Sequence, residues 1–289
     1  LSTLCLARDC ALMITPAMNR QMWENPSTQR NIKTLLADGV HLVGPDSGEQ
    51  ACGEVGVGRM SEPSLIANEI VSWLQPKLLQ NKNVIVTAGP TYEAIDAVRG
   101  ITNASSGKMG YAVAQAAIDA GANVTLISGK TNLNPPARAR FISIISAQDM
   151  FDAVINEVDH SDIFISVAAV ADFKVRNPSE HKIKKSQQKL SIEFDETPDI
   201  LKSVASRKNR PFCVGFAAES QNVEEYARKK RIEKGIPLIA ANLVTEALNS
   251  DDNSLVLIDE HGTKTLASSS KLEQARQLMM HISGLINKQ

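Results

Sequence analysis

A short apolar strand that leads into two small-residue turns and then a helix constrains this chain more than any other feature. Residues 84–88 read Val-Ile-Val-Thr-Ala and are followed by Gly-Pro-Thr, while residues 103–108 read Asn-Ala-Ser-Ser-Gly-Lys and open a helical run over 111–120. Backbone N–H groups and the helix dipole at such a helix start attract an anion. The spacing matches neither GxGxxG nor GxxxxGKS/T, so the segment predicts an anion cradle that is not a standard dinucleotide or P-loop site.

Apolar strand patterns and helical patterns alternate along the chain after residue 82. The predicted strands are 84–88, 123–128, 162–167, 212–216 and 237–241, and the predicted helices are 108–120, 147–158, 198–207 and 222–234. Such alternation is typical of a parallel sheet with helices on both faces. The predicted fold class is therefore α/β, a doubly wound, Rossmann-like, mostly parallel sheet. Residues 254–258 and 264–266 predict a C-terminal β-hairpin, and a helix is expected over 271–285.

The first 75 residues predict a smaller unit of their own. Their pattern gives a strand at 11–14, a helix at 28–38, a strand at 41–43 and a helix at 64–74, a partial flavodoxin-like segment. Pro76 would end the last helix, so we expect domains at 1–75 and 83–289 with a linker at 76–82. The chain begins Leu-Ser-Thr without an initiator Met, and we therefore expect a fragment of a longer protein.

Composition narrows the class of partner. The 31 Lys and Arg nearly balance the 32 Asp and Glu, and the net charge of −1 gives no electrostatic reason to expect nucleic acid or a membrane surface. No apolar run approaches the ~20 residues that span a bilayer. The four cysteines form no CxxC pair, which favours reduced thiols in the cytoplasm over a disulfide framework or a zinc site.

Small residues at two predicted element ends suggest a ligand site. Gly89 and Gly107 either make tight turns, with Ser105 or Ser106 capping the helix, or form a cradle for phosphate or carboxylate. The run of small polar residues favours the cradle. The predicted strand at 162–167 continues as Ala-Ala-Val-Ala-Asp, and small residues there either pack closely or let a planar ligand approach the backbone.

Asn103 and Asp172 are the side chains at these element ends that could contact a ligand most directly. Asn103 can form a hydrogen bond with a reacting acyl or carboxyl group. Asp172 either caps a turn, accepts a hydrogen bond from the amino group of a base, or helps to hold a magnesium ion carried by nucleotide phosphates.

Charged runs occur in two further places. Residues 176–189 are polar and include the sequence Lys-Ile-Lys-Lys at 182–185, which is either a solvated loop or a flap that neutralises a triphosphate. The helix predicted at 222–234 carries Lys230 and Lys234 on one face, which alone is typical of a solvated surface. Residues 16–23 and 51–60 also stand out, and the three glycines beside Cys52 in the second run predict a flexible clamp, although a loop cysteine is more often idle than reactive.

Together these motifs resemble one family. TAGPT, NASSGKMG, AAVADF, KIKK, TPDI, GFAAE and NVEEYARKKRIEKG occur in this order, and over residues 83–289 the chain resembles the ligase domain of the bacterial bifunctional phosphopantothenoylcysteine decarboxylase/phosphopantothenate–cysteine ligases of coenzyme A biosynthesis. PAMNRQMW and ACGEVGVGRM resemble the C-terminal part of the flavin-dependent decarboxylase domain. The resemblance implies a magnesium-assisted, CTP-dependent ligase that joins 4′-phosphopantothenate to L-cysteine through an acyl-cytidylate and releases diphosphate and CMP.

The resemblance also implies roles for individual residues. Asn103 would hold the acyl intermediate, and Lys182 would serve its formation or turnover. The positions that match nucleotide-binding residues are Ala168, Asp172, Lys182, Pro198, Asp199, Ile200, Phe216, Lys230 and Lys234. The positions that would face the substrate or its phosphate groups are Gly89, Asn103, Ser105, Ser106, Gly107 and Lys108. In the decarboxylase part, Cys52 would reprotonate the enethiol product and Asn19 would grip the substrate carboxylate.

The chain departs from the family pattern in one respect. The decarboxylase family needs a flavin-binding N-terminal half with a catalytic His, and residues 1–75 contain only His41, at the start of an apolar strand. We therefore expect FMN and decarboxylation only in a longer protein, and by resemblance a homodimer through the ligase domain. One alternative is a nicotinamide-dependent oxidoreductase, although GxGxxG and a ribose-binding acid are missing. The other is a silent remnant that only assembles decarboxylase subunits, against which the intact KIKK and AAVAD motifs stand.

Overall fold

The computed structural model describes residues 2–51, 53–184, 191–219, 221–243 and 252–287. It divides into two compact units, residues 1–75 and 76–289. Among the described residues, no helix is long and apolar enough to cross a lipid bilayer.

The first unit contains short elements. They are α1 (Ser2–Ala7), β1 (Met13–Ile14), α2 (Arg20–Glu24), α3 (Pro26–Ala37), β2 (His41–Leu42), β3 (Asp46–Glu49), β4 (Val55–Arg59) and α4 (Pro63–Leu74). β1 and β2 pair in parallel, and β3 and β4 form an antiparallel hairpin. Half of the run 51–60, predicted as a flexible clamp, forms β4. Gly58 is needed in this strand because a side chain there would collide with the backbone of Met18, whose N–H donates to the Gly58 carbonyl at 2.9 Å.

The second unit is built on one large sheet. Its strands are β5 (Asn83–Ala88), β6 (Tyr92–Ala94), β7 (Gly100–Thr102), β8 (Asn123–Ser128), β9 (Arg140–Ser143), β10 (Ile163–Ser166), β11 (Phe173–Val175), β12 (Phe194–Glu196), β13 (Phe212–Glu219), β14 (Leu238–Leu243), β15 (Asp252–Asn253), β16 (Val256–Ile258), β17 (Thr263–Thr265) and β18 (Ser269–Ser270). Its helices are α5 (Lys108–Asp119), α6 (Ala147–Glu157), α7 (Ile200–Ala205), α8 (Val223–Lys234) and α9 (Lys271–Ile286), with a 3-10 turn at Val158–His160.

The strand order of the large sheet is β9-β8-β5-β10-β13-β14-β16-β17. The first six strands run parallel, and β16 and β17 add an antiparallel hairpin at one edge. The chain fills one half of the sheet from β5 outward, returns to β10 beside β5, and fills the other half. This is the order of a doubly wound dinucleotide-type fold. The predicted fold class and the C-terminal hairpin are confirmed.

Apolar side chains alternate between the two faces of the sheet, as the pleat of a strand requires. Val86, Leu126 and Ile165 are buried in one cluster with α5 and α9, while their neighbours Ile85, Ile127 and Phe164 belong to a second cluster with α6, α7 and α8. The central strands are thus held by buried apolar contacts on both faces of the sheet. The apolar runs of the central strands made these elements predictable.

Several short strands were not predicted from the sequence. β6 and β7 form an antiparallel hairpin directly after the glycine turn that follows β5, and β11 and β12 form a second hairpin. These strands have three residues each, which is too short for an apolar alternation that could be detected. The helix predicted at 198–207 is shorter, because Asp199 caps α7 by accepting the Lys202 N–H at 2.9 Å.

Candidate active site

The carboxyl ends of β5 and β10 meet where the strand order of the sheet reverses. Ligands bind at such a point in open α/β sheets. Beyond the strands, Pro90 and Ala169 form a parallel bridge. The Ala169 N–H donates to the Gly89 carbonyl at 3.0 Å, and the Thr91 N–H donates to the Ala169 carbonyl at 3.3 Å. The two predicted site segments, around Gly89 and around Ala168, are therefore neighbours.

Two buried threonine hydroxyls shape this junction. Thr87 Oγ1 accepts the N–H groups of Val167 and Ala168 at 3.2 and 3.3 Å, and Thr91 Oγ1 accepts the Ala171 N–H at 3.0 Å. They end the regular pairing of β10 and turn the chain toward Asp172. Sequence reasoning missed the function of Thr87 because Thr within an apolar strand signals only strand propensity.

The segment that precedes α7 lies against the same turn. Thr197 donates through its N–H to the Asp172 carbonyl at 2.9 Å and through Oγ1 to the Ala171 carbonyl at 2.5 Å. Pro198 and Asp199 follow directly. The structure therefore brings the AAVAD and TPDI motifs together at one strand end.

Two glycine turns pack against each other beside the start of α5. Gly89 and Gly107 have positive φ angles of 68° and 76°, a region that favours glycine. A Cβ on Gly107 would lie 3.3 Å from the Gly89 Cα and 2.7 Å from Thr131 Cγ2. A Cβ on Gly89 would lie 3.0 Å from the Gly129 carbonyl oxygen. Three loops thus converge, and the loop with Gly129 and Thr131 was not predicted.

Gly107, without a side chain, occupies the N-cap position of α5. The alternative interpretation, in which Ser105 or Ser106 is the N-cap residue of this helix, is therefore wrong. Ser105 Oγ accepts the Gly107 N–H at 3.4 Å, and Ser106 Oγ accepts the Lys108 N–H at 3.5 Å, both long contacts. Lys108 is the first residue of the helix. Gly107 itself carries no side chain that would cover the helix start as an N-cap group does, which favours the approach of an anion.

Asn103 lies at the end of the hairpin formed by β6 and β7. Its side-chain oxygen accepts the Ser105 N–H at 3.0 Å, which fixes the side chain in a turn. The residue is exposed, and in the described parts of the chain its amide nitrogen has no hydrogen-bond partner. A donor that is fixed in place and open to solvent can serve a carboxyl or acyl oxygen.

A charged pair lies at the other side of the site. Lys234, the last residue of α8, contacts Asp199 with Nζ–Oδ2 3.2 Å. Ile200 is buried, and Lys230 is exposed one turn earlier in α8. Phe216 is half-buried on β13, one residue past Gly215, which pairs with Ser166 at the carboxyl end of β10.

Asp172 is exposed. In the parts of the chain that the structure describes, no three His, Cys, Asp or Glu side chains lie close enough to hold a metal ion. One carboxylate fits a magnesium ion whose remaining ligands are phosphate oxygens and water. It does not fit a site built from protein ligands alone.

The exposed side chain of Lys182 makes no hydrogen bond or ion pair within residues 2–184 and the later described segments. The next residue, Ile183, is held by hydrogen bonds to Asp96 and Arg99 in the turn between β6 and β7. Lys185 and the rest of the predicted flap through residue 189 lie outside the described residues.

The first unit contains two further predicted residues. Asn19 caps α2, with Oδ1 accepting the Met22 N–H at 2.9 Å, and its amide donates to Gln21 Oε1 at 2.8 Å. Cys52 lies outside the described residues. The His41 ring stacks on Trp73 at a centroid distance of 5.3 Å, which gives it a packing function.

Comparison with known proteins assigns both units. Residues 79–285 match the family model described as DNA/pantothenate metabolism flavoprotein C-terminal domain, and residues 3–75 match the family model described as Flavoprotein. The coenzyme A biosynthesis bifunctional protein CoaBC of Vibrio vulnificus is 48% identical over 292 residues, which cover 99% of this chain and 73% of that protein. The corresponding protein of Haemophilus influenzae is 48% identical over 286 residues, 98% of this chain and 72% of its own length.

Solved structures agree with these relatives. The crystal structure of the C-terminal domain of a CoaBC protein matches with a TM-score of 0.64 and 41% identity, covering 74% of this chain and all of that domain. A DNA/pantothenate metabolism flavoprotein from Streptococcus pneumoniae, 24% identical with a TM-score of 0.61, has the same fold. The chain therefore belongs to the family of the bifunctional coenzyme A biosynthesis proteins CoaBC.

Proposed function

We propose that residues 83–289 catalyse the CTP-dependent ligation of 4′-phosphopantothenate with L-cysteine through an acyl-cytidylate. The observation that carries the proposal is the junction of the Gly89–Gly107 cradle with the strand end at Ala168, in a chain of the CoaBC family. Here the start of α5, which we expect to bind an anion, lies beside the turn that bridges to the small residues around Ala168. Those are the two components that a nucleotide triphosphate and a second phosphorylated substrate require.

The chemistry follows from the weak electrophilicity of a carboxylate. A carboxylate oxygen of phosphopantothenate attacks the α-phosphorus of CTP, and the bond from that phosphorus to the diphosphate oxygen breaks. The amine of cysteine then attacks the acyl carbon, the bond to the phosphate oxygen breaks, and CMP leaves with the electron pair. The protein holds both reactants in contact and excludes water from the activated acyl group.

Individual residues receive functions in this scheme. Asn103 donates from its amide to the acyl oxygen, and the start of α5 with Ser105, Ser106, Gly107 and Lys108 receives a phosphate group. Lys182 neutralises negative charge that develops during phosphoryl transfer. Gly89 keeps the turn small enough for close approach of the substrate.

The nucleotide is assigned to the other side of the junction. Ala168 leaves room for the base, and Asp172 accepts from a base amino group or binds a phosphate-bound magnesium ion. The remaining nucleotide contacts are assigned to Pro198, Asp199, Ile200, Phe216, Lys230 and Lys234. The choice of CTP over ATP derives from the family resemblance.

We assign residues 1–75 to a decarboxylase domain and residues 76–82 to a linker. Cys52 would donate the proton to the enethiol product, and Asn19 would bind the substrate carboxylate. We assign FMN to the decarboxylase domain, because residues 3–75 match the family model described as Flavoprotein. We further propose a cytoplasmic homodimer that pairs through the ligase domain.

Turnover with defined nucleotides tests the ligase proposal. The protein is incubated with radiolabelled phosphopantothenate and magnesium, with CTP, ATP or NADH, and with or without cysteine. We expect phosphopantothenoylcysteine, CMP and diphosphate only when CTP and cysteine are both present. Binding of NADH without turnover of any nucleotide would instead support the oxidoreductase alternative and refute the ligase.

A further inference from the structure

A buried carboxylate lies in the turn between β6 and β7. Asp96 is 3% exposed, and its Oδ1 accepts the N–H groups of Val98 and Arg99 at 2.9 and 2.8 Å. Its Oδ2 accepts Nε and Nη2 of Arg99 at 2.9 and 2.5 Å. These four bonds explain how the turn closes. They do not explain a fifth bond, which reaches a residue 87 positions away.

The fifth bond fixes the backbone of the residue after Lys182. The Ile183 N–H donates to Asp96 Oδ2 at 3.1 Å, and the Ile183 carbonyl accepts Arg99 Nη2 at 3.0 Å. Four residues earlier, the Ser179 N–H donates to the Ile95 carbonyl at 3.0 Å. Both polar backbone groups of Ile183 are therefore bound by one acid–base pair.

The hairpin that carries this pair ends at Asn103. Arg99 and Asn103 flank β7 and are four residues apart, on the order of 13 Å in extended chain. Thr102 anchors that end of the hairpin, because its Oγ1 donates to the Thr91 carbonyl at 2.8 Å. Lys182 thus adjoins a residue that is hydrogen-bonded to the turn of the hairpin, while Asn103 directly follows β7 at the other end of the hairpin.

We propose that Asp96, together with Arg99, is a positioning residue that holds the Lys182 backbone at a fixed place relative to Asn103. The proposal rests on the ligase function proposed above for these two residues. A carboxylate suits this task because it accepts from the turn, from the guanidinium and from Ile183 at once.

We call Asp96 and Arg99, which bind the backbone of Ile183, the anchor. The charge state of Asp96 is consistent with a contact that persists across pH. The Arg99 guanidinium holds the pKa of this carboxyl well below its usual range, against the effect of burial and together with the N–H groups of Val98, Ile183 and Arg99. The anchor therefore remains ionised at every pH at which the ligation would be assayed.

Hydrogen exchange on the ligand-free full chain tests the anchor without reference to activity. Asp96→Asn replaces an acceptor by an amide and is compared with Asp195→Asn, which removes a carboxylate from a different Arg pair, Arg176–Asp195, at 2.7 Å. We expect faster exchange in the peptide 179–184 only in Asp96→Asn. Equal exchange of this peptide in wild type and Asp96→Asn overturns the anchor, whether or not the protein is a ligase.

Kinetics then test whether the anchor acts on Lys182. Ile183→Pro deletes the N–H donor and leaves Asp96 and Arg99 intact, while Ile183→Ala keeps both backbone groups. We expect Asp96→Asn and Ile183→Pro each to lower kcat for ligation by about 10-fold or more with the KM for CTP within about twofold, and Ile183→Ala and Asp195→Asn to stay within about twofold of wild type. Ile183→Pro keeps the test valid if Asp96→Asn does not fold.

The double variant Asp96→Asn with Ile183→Pro completes a cycle. If both changes break the same bond, the kcat of the double variant equals that of the less active single variant. Multiplied losses, or a wild-type kcat in Ile183→Pro, would refute action through Ile183. Absence of CMP release from the wild-type protein would contradict the ligase function instead, and the exchange result would still decide the anchor.

Discussion

At the scale of single residues, Asn103 combines a structural contact with an open donor. Its oxygen accepts the Ser105 N–H at 3.0 Å, so the turn uses one half of the side chain and leaves the amide NH2 for a ligand. Asn103→Ala removes both the oxygen acceptor and the amide donor, whereas Asn103→Asp keeps the acceptor for Ser105 but loses the donor. The two variants therefore separate the turn from the proposed acyl contact.

We predict that both Asn103 variants lose ligation activity by about 10-fold or more, as expected for a hydrogen bond to a charged or reacting group. The measurement is the rate of phosphopantothenoylcysteine formation at saturating CTP. Unchanged turnover in Asn103→Ala means that the acyl contact is assigned to the wrong residue. Activity retained only in Asn103→Asp leaves the turn as its sole function.

Cys213 gives a second prediction at this scale. It is fully buried in β13 and donates to the Pro211 carbonyl at 3.3 Å, and burial raises the pKa of the Cys213 thiol to about 11, against a smaller opposite effect of Arg210. The thiol is therefore neutral at pH 8 and unreactive. We expect iodoacetamide to label the exposed Cys10 but not Cys213 in the folded protein, as measured by peptide mass spectrometry. Equal labelling rates would contradict this burial.

At the scale of elements, the contact between α5 and β5 requires a glycine. A Cβ on Gly110 would lie 2.5 Å from the Ala88 Cβ and 3.0 Å from the Ala88 Cα. We predict that Gly110→Ala lowers the free energy of unfolding by about 1–3 kcal/mol, the usual effect of overpacking. Urea denaturation measures it.

Gly284 in α9 is the matched control, since a Cβ there has no atom within 4 Å. Gly284→Ala should raise the free energy of unfolding by about 0.5–1 kcal/mol through helix propensity. A Gly110→Ala protein as stable as wild type would contradict the close approach of helix and strand.

The flap that follows β11 gives the second prediction for an element. Lys182 is exposed and its ammonium group has no partner in the described segments, so Lys182→Gln should leave the thermal midpoint and CTP binding nearly unchanged. Product formation should fall by about 10-fold or more, because charge stabilisation during phosphoryl transfer is lost. Calorimetry with CTP and a steady-state assay measure the two effects. Loss of folding in this variant would refute the flap as a functional element.

At the scale of the whole molecule, the sequence predicted what long apolar patterns determine. The run Ile163–Ile165 and its counterparts made the parallel sheet predictable, and the antiparallel edge followed from one clear turn. The β6–β7 hairpin was missed because its stability comes from distant partners. Glu93, for example, is 4% exposed and accepts the Ala147 N–H at the start of α6 at 2.8 Å.

In the candidate site, too, residues with a local sequence signal were predictable and residues that depend on distant partners were not. Gly89 and Gly107 were identifiable because few other residues adopt their backbone angles next to a helix start. The hydroxyls of Thr87 and Thr91 and the carboxylate of Asp96 were not, because their partners are 80 to 87 residues away in the chain. Only the fold brings such pairs together.

The measurement that tests the central claim most directly is the fate of the carboxylate oxygen of phosphopantothenate. The substrate is labelled with ¹⁸O in both carboxylate oxygens, and the products formed with CTP and cysteine are separated and weighed by mass spectrometry. Ligation through an acyl-cytidylate predicts one ¹⁸O atom in CMP and none in diphosphate. CMP without the label, or label in diphosphate, would contradict an acyl-cytidylate.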